Sequence, residues 1–408
     1  MTPAVADSRT NSSSTIAVRR SRLLTGAQAA AEAMRQVDPD VVPVYPITPQ
    51  TPIIEAFAQF VADGRVHTEL MLMESEHSAM SAAVGSVLAG GRTITATASQ
   101  GLAYMIEIVY IAAALRAPIV IAVGNRALSG PINIHADHSD AMLARDTGAV
   151  ILFAENAQEA YDLMLLGTRL AEDPTVMLPV LVGQDGFTIT HSAEPIDTLD
   201  DATVKNFVGA YTVPTPLLNT RHPITEGAFA MPDAYFEQRV DVQRATERAL
   251  ERWTDLARQY HAVAGRNLLP VEPYRLEDAE LVLVTMGSAA GTMKDAIDLA
   301  RTQGTPVGLL KLRAFRPFPA TLIREALQPG QRVAVWERAL SPGSMPPLYT
   351  ELRSLLGREH EVASVVFGLG GRDMTVEMIG VVLAEFAQRH FADGRIHYLG
   401  LKTGEARG

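Results

Sequence analysis

Short apolar runs alternate with helical stretches along nearly the whole chain, and that alternation constrains the fold more than any other feature. Residues 41–45, 92–97, 118–123, 150–153 and 176–182 read as strands. Residues 53–61, 102–115 and 157–170 read as the helices between them, and Thr25 caps an earlier one. Strands separated by helices imply βαβ units, hence a parallel sheet covered on both faces. The rhythm stops over residues 187–235, where Pro195, Pro214, Pro216, Pro223 and Pro232 punctuate what reads as a long surface connection. A charged amphipathic helix follows over 235–264. A second series then begins, with strands at 281–284, 306–310, 332–336 and 362–367 and helices at 292–300 and 376–390. The expected fold class is α/β with two open parallel-sheet domains. A disordered tail covers 1–21, the first domain 22–235, a connecting helix 236–275 and the second domain 276–408.

Composition narrows the chemistry. Among 408 residues, 35 Lys and Arg stand against 46 Asp and Glu, a net charge of −11, which argues against a surface built for nucleic acid or anionic lipid. Aromatics make up 6%, too few for base-stacking platforms. No cysteine is present, so the chain holds no disulfide, thiolate nucleophile or Cys-ligated cluster. The most apolar stretch, 101–123, is broken by Glu107, Arg116 and Pro118 and does not reach the roughly 20 residues of a membrane span. Arg19-Arg20 and Leu23-Leu24 suggest a twin-arginine leader, but Glu32 falls inside the would-be apolar region. A cytoplasmic location is expected.

Several strand ends carry polar residues suited to a site. Tyr45-Pro-Ile-Thr-Pro-Gln-Thr-Pro52 joins a strand to a helix, and its prolines stiffen a platform presenting Thr48, although a capped turn would read the same way. Glu74-Ser-Glu-His-Ser-Ala79 opens a helix of small residues, where Glu76 either points into an interface or satisfies first-turn amides. Thr97-Ala-Ser-Gln-Gly101 places Ser99 and Gln100 at another such turn. Gly124-Asn-Arg126 brings Arg126 to the same sheet edge, and its planar fork suits a carboxylate. His135-Ala-Asp-His-Ser-Asp140 invites a metal reading, but no matched ligand set stands elsewhere, so a polar active-site loop is preferred. Gly287-Ser-Ala-Ala-Gly291 and Gly368-Leu-Gly-Gly-Arg-Asp373 are loose glycine turns rather than dinucleotide fingerprints.

In this order and combination, together with Arg145-Asp-Thr-Gly148, the motifs resemble the alpha subunit of the thiamine diphosphate-dependent 2-oxoacid:ferredoxin oxidoreductases, of the pyruvate type, over about residues 22–400. The resemblance implies that the first domain binds the aminopyrimidine half of thiamine diphosphate and that the second is transketolase C-terminal-like. It assigns Glu76 to the ring nitrogen N1′, with Tyr45, Pro46, Ser99 and Gln100 also at the cofactor. A buried acid at N1′ favours the imino tautomer that removes the thiazolium proton. Thr48 and Arg126 are assigned to the substrate carboxylate and carbonyl. The implied reaction is oxidative decarboxylation of a 2-oxoacid (pyruvate, or a branched-chain or aryl analogue such as phenylglyoxylate) to acyl-CoA and CO₂.

The Gly-Asp-Gly motif that holds Mg²⁺ on the diphosphate in thiamine enzymes does not occur; Ala62-Asp-Gly64 and Gln184-Asp-Gly186 are the nearest triplets. With no cysteine either, the resemblance implies a beta subunit carrying the diphosphate, Mg²⁺ and a [4Fe-4S] cluster. Gamma and ferredoxin-like delta subunits would complete the electron path, coenzyme A would accept the acyl group, and no metal would bind this chain. A non-oxidative thiamine-dependent lyase or transferase subunit, or a structural subunit with a degenerate site, are the alternatives.

Overall fold

The apolar runs at 93–97, 119–123, 150–153 and 180–182 become strands buried on both faces. The computed structural model describes residues 19–213, 215–227, 229–387 and 394–402. The chain begins with β1 (Arg19–Thr25), α1 (Gly26–Val37), β2 (Val41–Val44), α2 (Thr51–Ala62), β3 (Glu69–Leu72), α3 (Glu76–Ala89), β4 (Thr93–Thr97) and α4 (Ser99–Ala114). It continues with β5 (Ile119–Asn125), α5 (Ser139–Leu143), β6 (Val150–Phe153), α6 (Ala157–Ala171), β7 (Val180–Asp185), β8 (Ala193–Leu199), α7 (Asp201–Val208) and α8 (Tyr235–Ala264). The second half holds β9 (Val271–Tyr274), β10 (Leu281–Thr285), α9 (Ala289–Thr302), β11 (Val307–Leu312), β12 (Ala314–Arg316) and α10 (Ala320–Ala326). β13 (Arg332–Glu337), α11 (Pro347–Leu356), β14 (Val362–Val366), α12 (Val376–Ala387) and β15 (Ile396–Tyr398) complete it.

A seven-stranded sheet runs β12-β6-β7-β5-β4-β2-β3, and a six-stranded sheet runs β15-β14-β13-β10-β11-β9. Both are parallel except at one edge, where β12 and β9 run antiparallel to their neighbours. Two α/β sheets were expected, and two are present. Their limits in sequence are not clean, however. β9 lies within the stretch read as a connecting helix, and β12, from the second half, completes the first sheet. The tail read as disordered over 1–21 also requires correction. Residues 19–21 belong to β1, which pairs with β8 from Arg19↔Leu199 to Thr25↔Ala193, while residues 1–18 lie outside the described residues. β8 and α7 likewise occupy part of what read as an irregular connection. The 376–390 helix is described as far as Ala387, the rest lying outside the described residues.

β2 sits where the strand order reverses, with β3 on one side and β4 on the other. Its ladder to β4 is Val41↔Thr93 alone. Pro43 has no N–H to extend it, and the Thr95 hydroxyl takes the Pro43 carbonyl instead at 2.6 Å. The carboxyl ends of β2 and β4 thus lie at the switch point, which is where open α/β sheets form ligand crevices.

The two sheets share one apolar core. Leu102, Met105, Ile121 and Phe153 of the first half join Leu312, Phe315 and Val335 of the second in a single buried cluster. Beside it lies a buried ionic group in which Lys311 Nζ meets Glu159 (2.6 Å), Glu155 and Glu272, and Arg313 binds Glu159 and Glu272.

Candidate active site

Glu76 opens α3, whose N-cap Ser75 accepts the Ser78 N–H at 3.2 Å. The Glu76 side chain is buried against the first turn of α4. A Cβ at Gly101 would lie 2.4 Å from Thr97 Oγ1 and 2.7 Å from Glu76 Oε1, so only glycine lets the carboxylate sit there. Arg126 follows β5 and is 6% exposed. Its Nη1 donates to the Thr48 carbonyl and its Nη2 to Gln100 Oε1 at 3.0 Å, while its Nε is buried without a protein partner. Burial pulls the Arg126 pKa down from its usual value, against the attraction of Asp140 and Glu76. The Ser99 hydroxyl lies 2.6 Å from both Gln100 Oε1 and the Ala127 carbonyl.

The turn after β2 is fixed from within. Gln50 Nε2 donates to the Tyr45 carbonyl at 3.0 Å, and Gly124 of β5 is close enough that a Cβ there would meet Pro49 at 3.2 Å. Tyr45, Pro46 and Thr48 are exposed at the mouth of the crevice. Thr48, Glu76, Ser99, Gln100 and Arg126 thus converge from the carboxyl ends of β2, β3, β4 and β5.

Residues 135–140 do not form a ligand set. His135 lies 4.8 Å from the Phe187 ring, His138 Nε2 bonds Asp185 at 2.6 Å, and Asp137 accepts the Ser139 N–H at 2.7 Å. Asp140 turns away to the start of α4 and the end of β5. One acidic trio, Glu155, Glu159 and Glu272, is compact enough for an ion, but Lys294, Lys311 and Arg313 already neutralise it. Burial alone would raise the Glu159 pKa; Arg313 and Lys311 outweigh it, and the net shift is downward.

The two glycine turns of the second half close the junction between the sheets. Ser288 N and Oγ donate to Asp185, with N at 3.0 Å, and the Gly370 carbonyl accepts from Asn133 Nδ2 at 3.1 Å. Gln50, Gly101, Asn125 and Asp140 were not singled out for these contacts. Position near a strand end could have signalled Gln50, Gly101 and Asn125; nothing in the pattern marks Asp140, which sits on α5.

Residues 32–258 match the family model described as pyruvate flavodoxin/ferredoxin oxidoreductase, thiamine diphosphate-binding. Residues 279–379 match pyruvate:ferredoxin oxidoreductase core domain II. Over 385 residues the chain is 50% identical to pyruvate synthase subunit PorA of Thermotoga maritima, covering 93% of this chain and 97% of that protein. The chain belongs to the 2-oxoacid:ferredoxin oxidoreductase family, as an alpha subunit. Other relatives of this oxidoreductase include PorA of Methanothermobacter thermautotrophicus, 46% identical over 87% of this chain and 92% of that one. Ketoisovalerate oxidoreductase subunit VorA of Pyrococcus abyssi is 37% identical over 92% of this chain and 95% of that one. The fold is shared with the 2-oxoglutarate:ferredoxin oxidoreductase of Magnetococcus marinus at a TM-score of 0.72 and 18% identity, over 90% of this chain and 65% of that one. An alpha subunit of this oxidoreductase family works within a multi-subunit enzyme and binds thiamine diphosphate. Among the described residues no helix is long and apolar enough to cross a membrane.

Proposed function

We propose that this chain supplies the aminopyrimidine side of the thiamine diphosphate site in a pyruvate-oxidising complex, with Glu76, Thr48 and Arg126 as its catalytic residues. The observation that supports it is one crevice holding a buried helix-start carboxylate beside a buried guanidinium with a free Nε. That donor set fits an aminopyrimidine and a 2-oxoacid carboxylate side by side. When bound, the cofactor supplies a carbon nucleophile and an electron sink for decarboxylation.

Glu76 would share a proton with ring nitrogen N1′, and the low-dielectric pocket strengthens that hydrogen bond. Arg126, held by the Thr48 carbonyl and Gln100, would receive the substrate carboxylate in a fixed orientation. The Thr48 hydroxyl at the crevice mouth would reach the substrate carbonyl. Tyr45 and Pro46 would wall the pyrimidine, with Ser99 and Gln100 behind it.

Residues 22–235 form the pyrimidine-binding unit in this reading, 236–275 the connection and 276–408 the transketolase C-terminal-like unit. A beta subunit carries Mg²⁺, the diphosphate and a [4Fe-4S] cluster, and gamma and ferredoxin-like delta subunits carry electrons onward. Coenzyme A takes the acyl group, and the complex is cytoplasmic. Pyruvate is preferred because the chain reaches 50% identity with a pyruvate synthase subunit and 37% with a ketoisovalerate one.

The test is CoA-dependent viologen reduction by the purified complex across a panel of 2-oxoacids. Pyruvate is expected to give the highest kcat/KM. Glu76→Gln is expected to lower turnover at least about 100-fold while the complex still assembles. Retained turnover would remove Glu76 from its role, and CO₂ release without reduction would favour a non-oxidative enzyme.

A further inference from the structure

Asp140 is fully buried on α5, and four N–H groups converge on its carboxylate. Oδ2 accepts from the backbone N–H of Ser99 at 3.0 Å and of Arg126 at 3.1 Å. Oδ1 accepts from Asn125 Nδ2 at 2.9 Å and from the Ala141 N–H at 2.7 Å. One side chain therefore ties together the first turn of α4, which carries Gln100, and the end of β5, which the guanidinium follows. Ser99 needs such a tie, because its φ of 44° is left-handed backbone that a serine seldom adopts.

We propose that Asp140 is a positioning residue for substrate binding: by holding the Ser99 and Arg126 backbones on one oxygen, it sets the guanidinium where the 2-oxoacid carboxylate docks. This inference rests on the carboxylate-binding role given to Arg126 above.

The geometry asks for an acceptor at both oxygens. An ionised carboxylate offers acceptor sites on each, whereas an amide offers them on one and places an NH₂ on the other. In Asp140→Asn that NH₂ would face either the Ser99 and Arg126 N–H groups or the Asn125 and Ala141 ones. Burial lifts the Asp140 carboxyl to about 6 against its four hydrogen bonds, which leaves it mostly ionised at neutral pH. The near-isosteric amide should therefore fail, although a residue that merely fills space would tolerate it.

The experiment is steady-state kinetics on the assembled complex, varying pyruvate, for wild type, Asp140→Asn, Arg126→Ala and the double variant. Thiamine diphosphate binding is measured alongside by equilibrium titration. Asp140→Asn is expected to raise KM about tenfold with a smaller change in kcat and a cofactor Kd within about twofold of wild type. In the Arg126→Ala background the same substitution should add less than about twofold, because the group it acts through is gone. Equal, multiplying effects in both backgrounds would overturn the proposal, as would an unaltered KM with a loss of cofactor affinity. Arg126→Ala with unaltered KM would overturn the substrate role of Arg126 and this inference with it. Arg126→Ala raising KM while Asp140→Asn does not would overturn the role of Asp140 alone. If Asp140→Asn does not assemble, Asn125→Ala, which removes one of the two donors to Oδ1 and leaves those to Oδ2, is expected to raise KM about threefold; an unaltered KM there would overturn the proposal.

Discussion

At Gly101, side-chain volume and chemistry oppose each other. Alanine is the better helix former by about 1 kcal/mol in an exposed helix. Here its methyl would press on Thr97 Oγ1 and Glu76 Oε1, both within 2.7 Å of the Cβ position. Gly101→Ala should therefore destabilise the chain by about 1–3 kcal/mol, the usual cost of overpacking, and lower turnover at least about tenfold by displacing the carboxylate. Melting curves and steady-state assays on the same preparation check both; full activity would show that the Glu76 carboxylate works elsewhere. Thr48, Glu76, Ser99 and Arg126 were legible because each lies within four residues of the end of a strand. The contacts of Asp140 were not, since Ser99 lies 41 residues away in sequence and His135-Ala-Asp-His-Ser-Asp140 reads only as a polar loop.

Among the elements, β13 ends in a feature with a pH consequence. Glu337 is buried at the start of α11 and accepts the N–H groups of Leu348 and Tyr349, each at 2.9 Å. Burial outweighs both bonds and pushes its carboxyl up to about 8 from an ordinary 4.5. Between those values the folded chain keeps a proton that the unfolded chain has released. Stability from this group is complete below about 4.5 and is lost as pH rises through about 8, at up to about 1.4 kcal/mol per pH unit. The melting temperature of wild type should fall relative to Glu337→Gln between pH 6 and 9; parallel curves would refute this. The long strands and helices were readable from apolar period alone. β1 and β8 were hidden because β1 is rich in charge with no buried residue over 20–25, and β8 carries Pro195 opposite Leu23, burying only Ile196, Thr198 and Leu199. α7 is a helix of two turns, too short to establish a period.

Across the whole molecule, polar contacts as well as the apolar core join the two halves. Asp185 is 1% exposed and receives His138, Ser288 and Arg338, the last at 3.4 Å. Burial alone would raise its pKa, yet the charges of His138 and Arg338 hold it well below the usual carboxylate range. Asp185→Asn leaves the buried Arg338 without its counter-charge and should cost about 3–5 kcal/mol. Denaturant unfolding should then divide into two transitions, and a single transition at the wild-type midpoint would contradict this. No sequence pattern foretold the contacts of Ser288 and Arg338 with Asp185, because each pairs residues from separate βαβ series.

β12 carries a consequence for how the chain is made. The edge of the first sheet at β6 is covered by Ala314–Arg316, residues that leave the ribosome after most of the second sheet's early strands. Until then the nascent first half exposes an open strand of Val150–Phe153, an apolar edge of the kind that recruits other chains. The two halves are therefore not interchangeable cassettes: a gene cut between them would yield a fragment whose sheet lacks its closing strand.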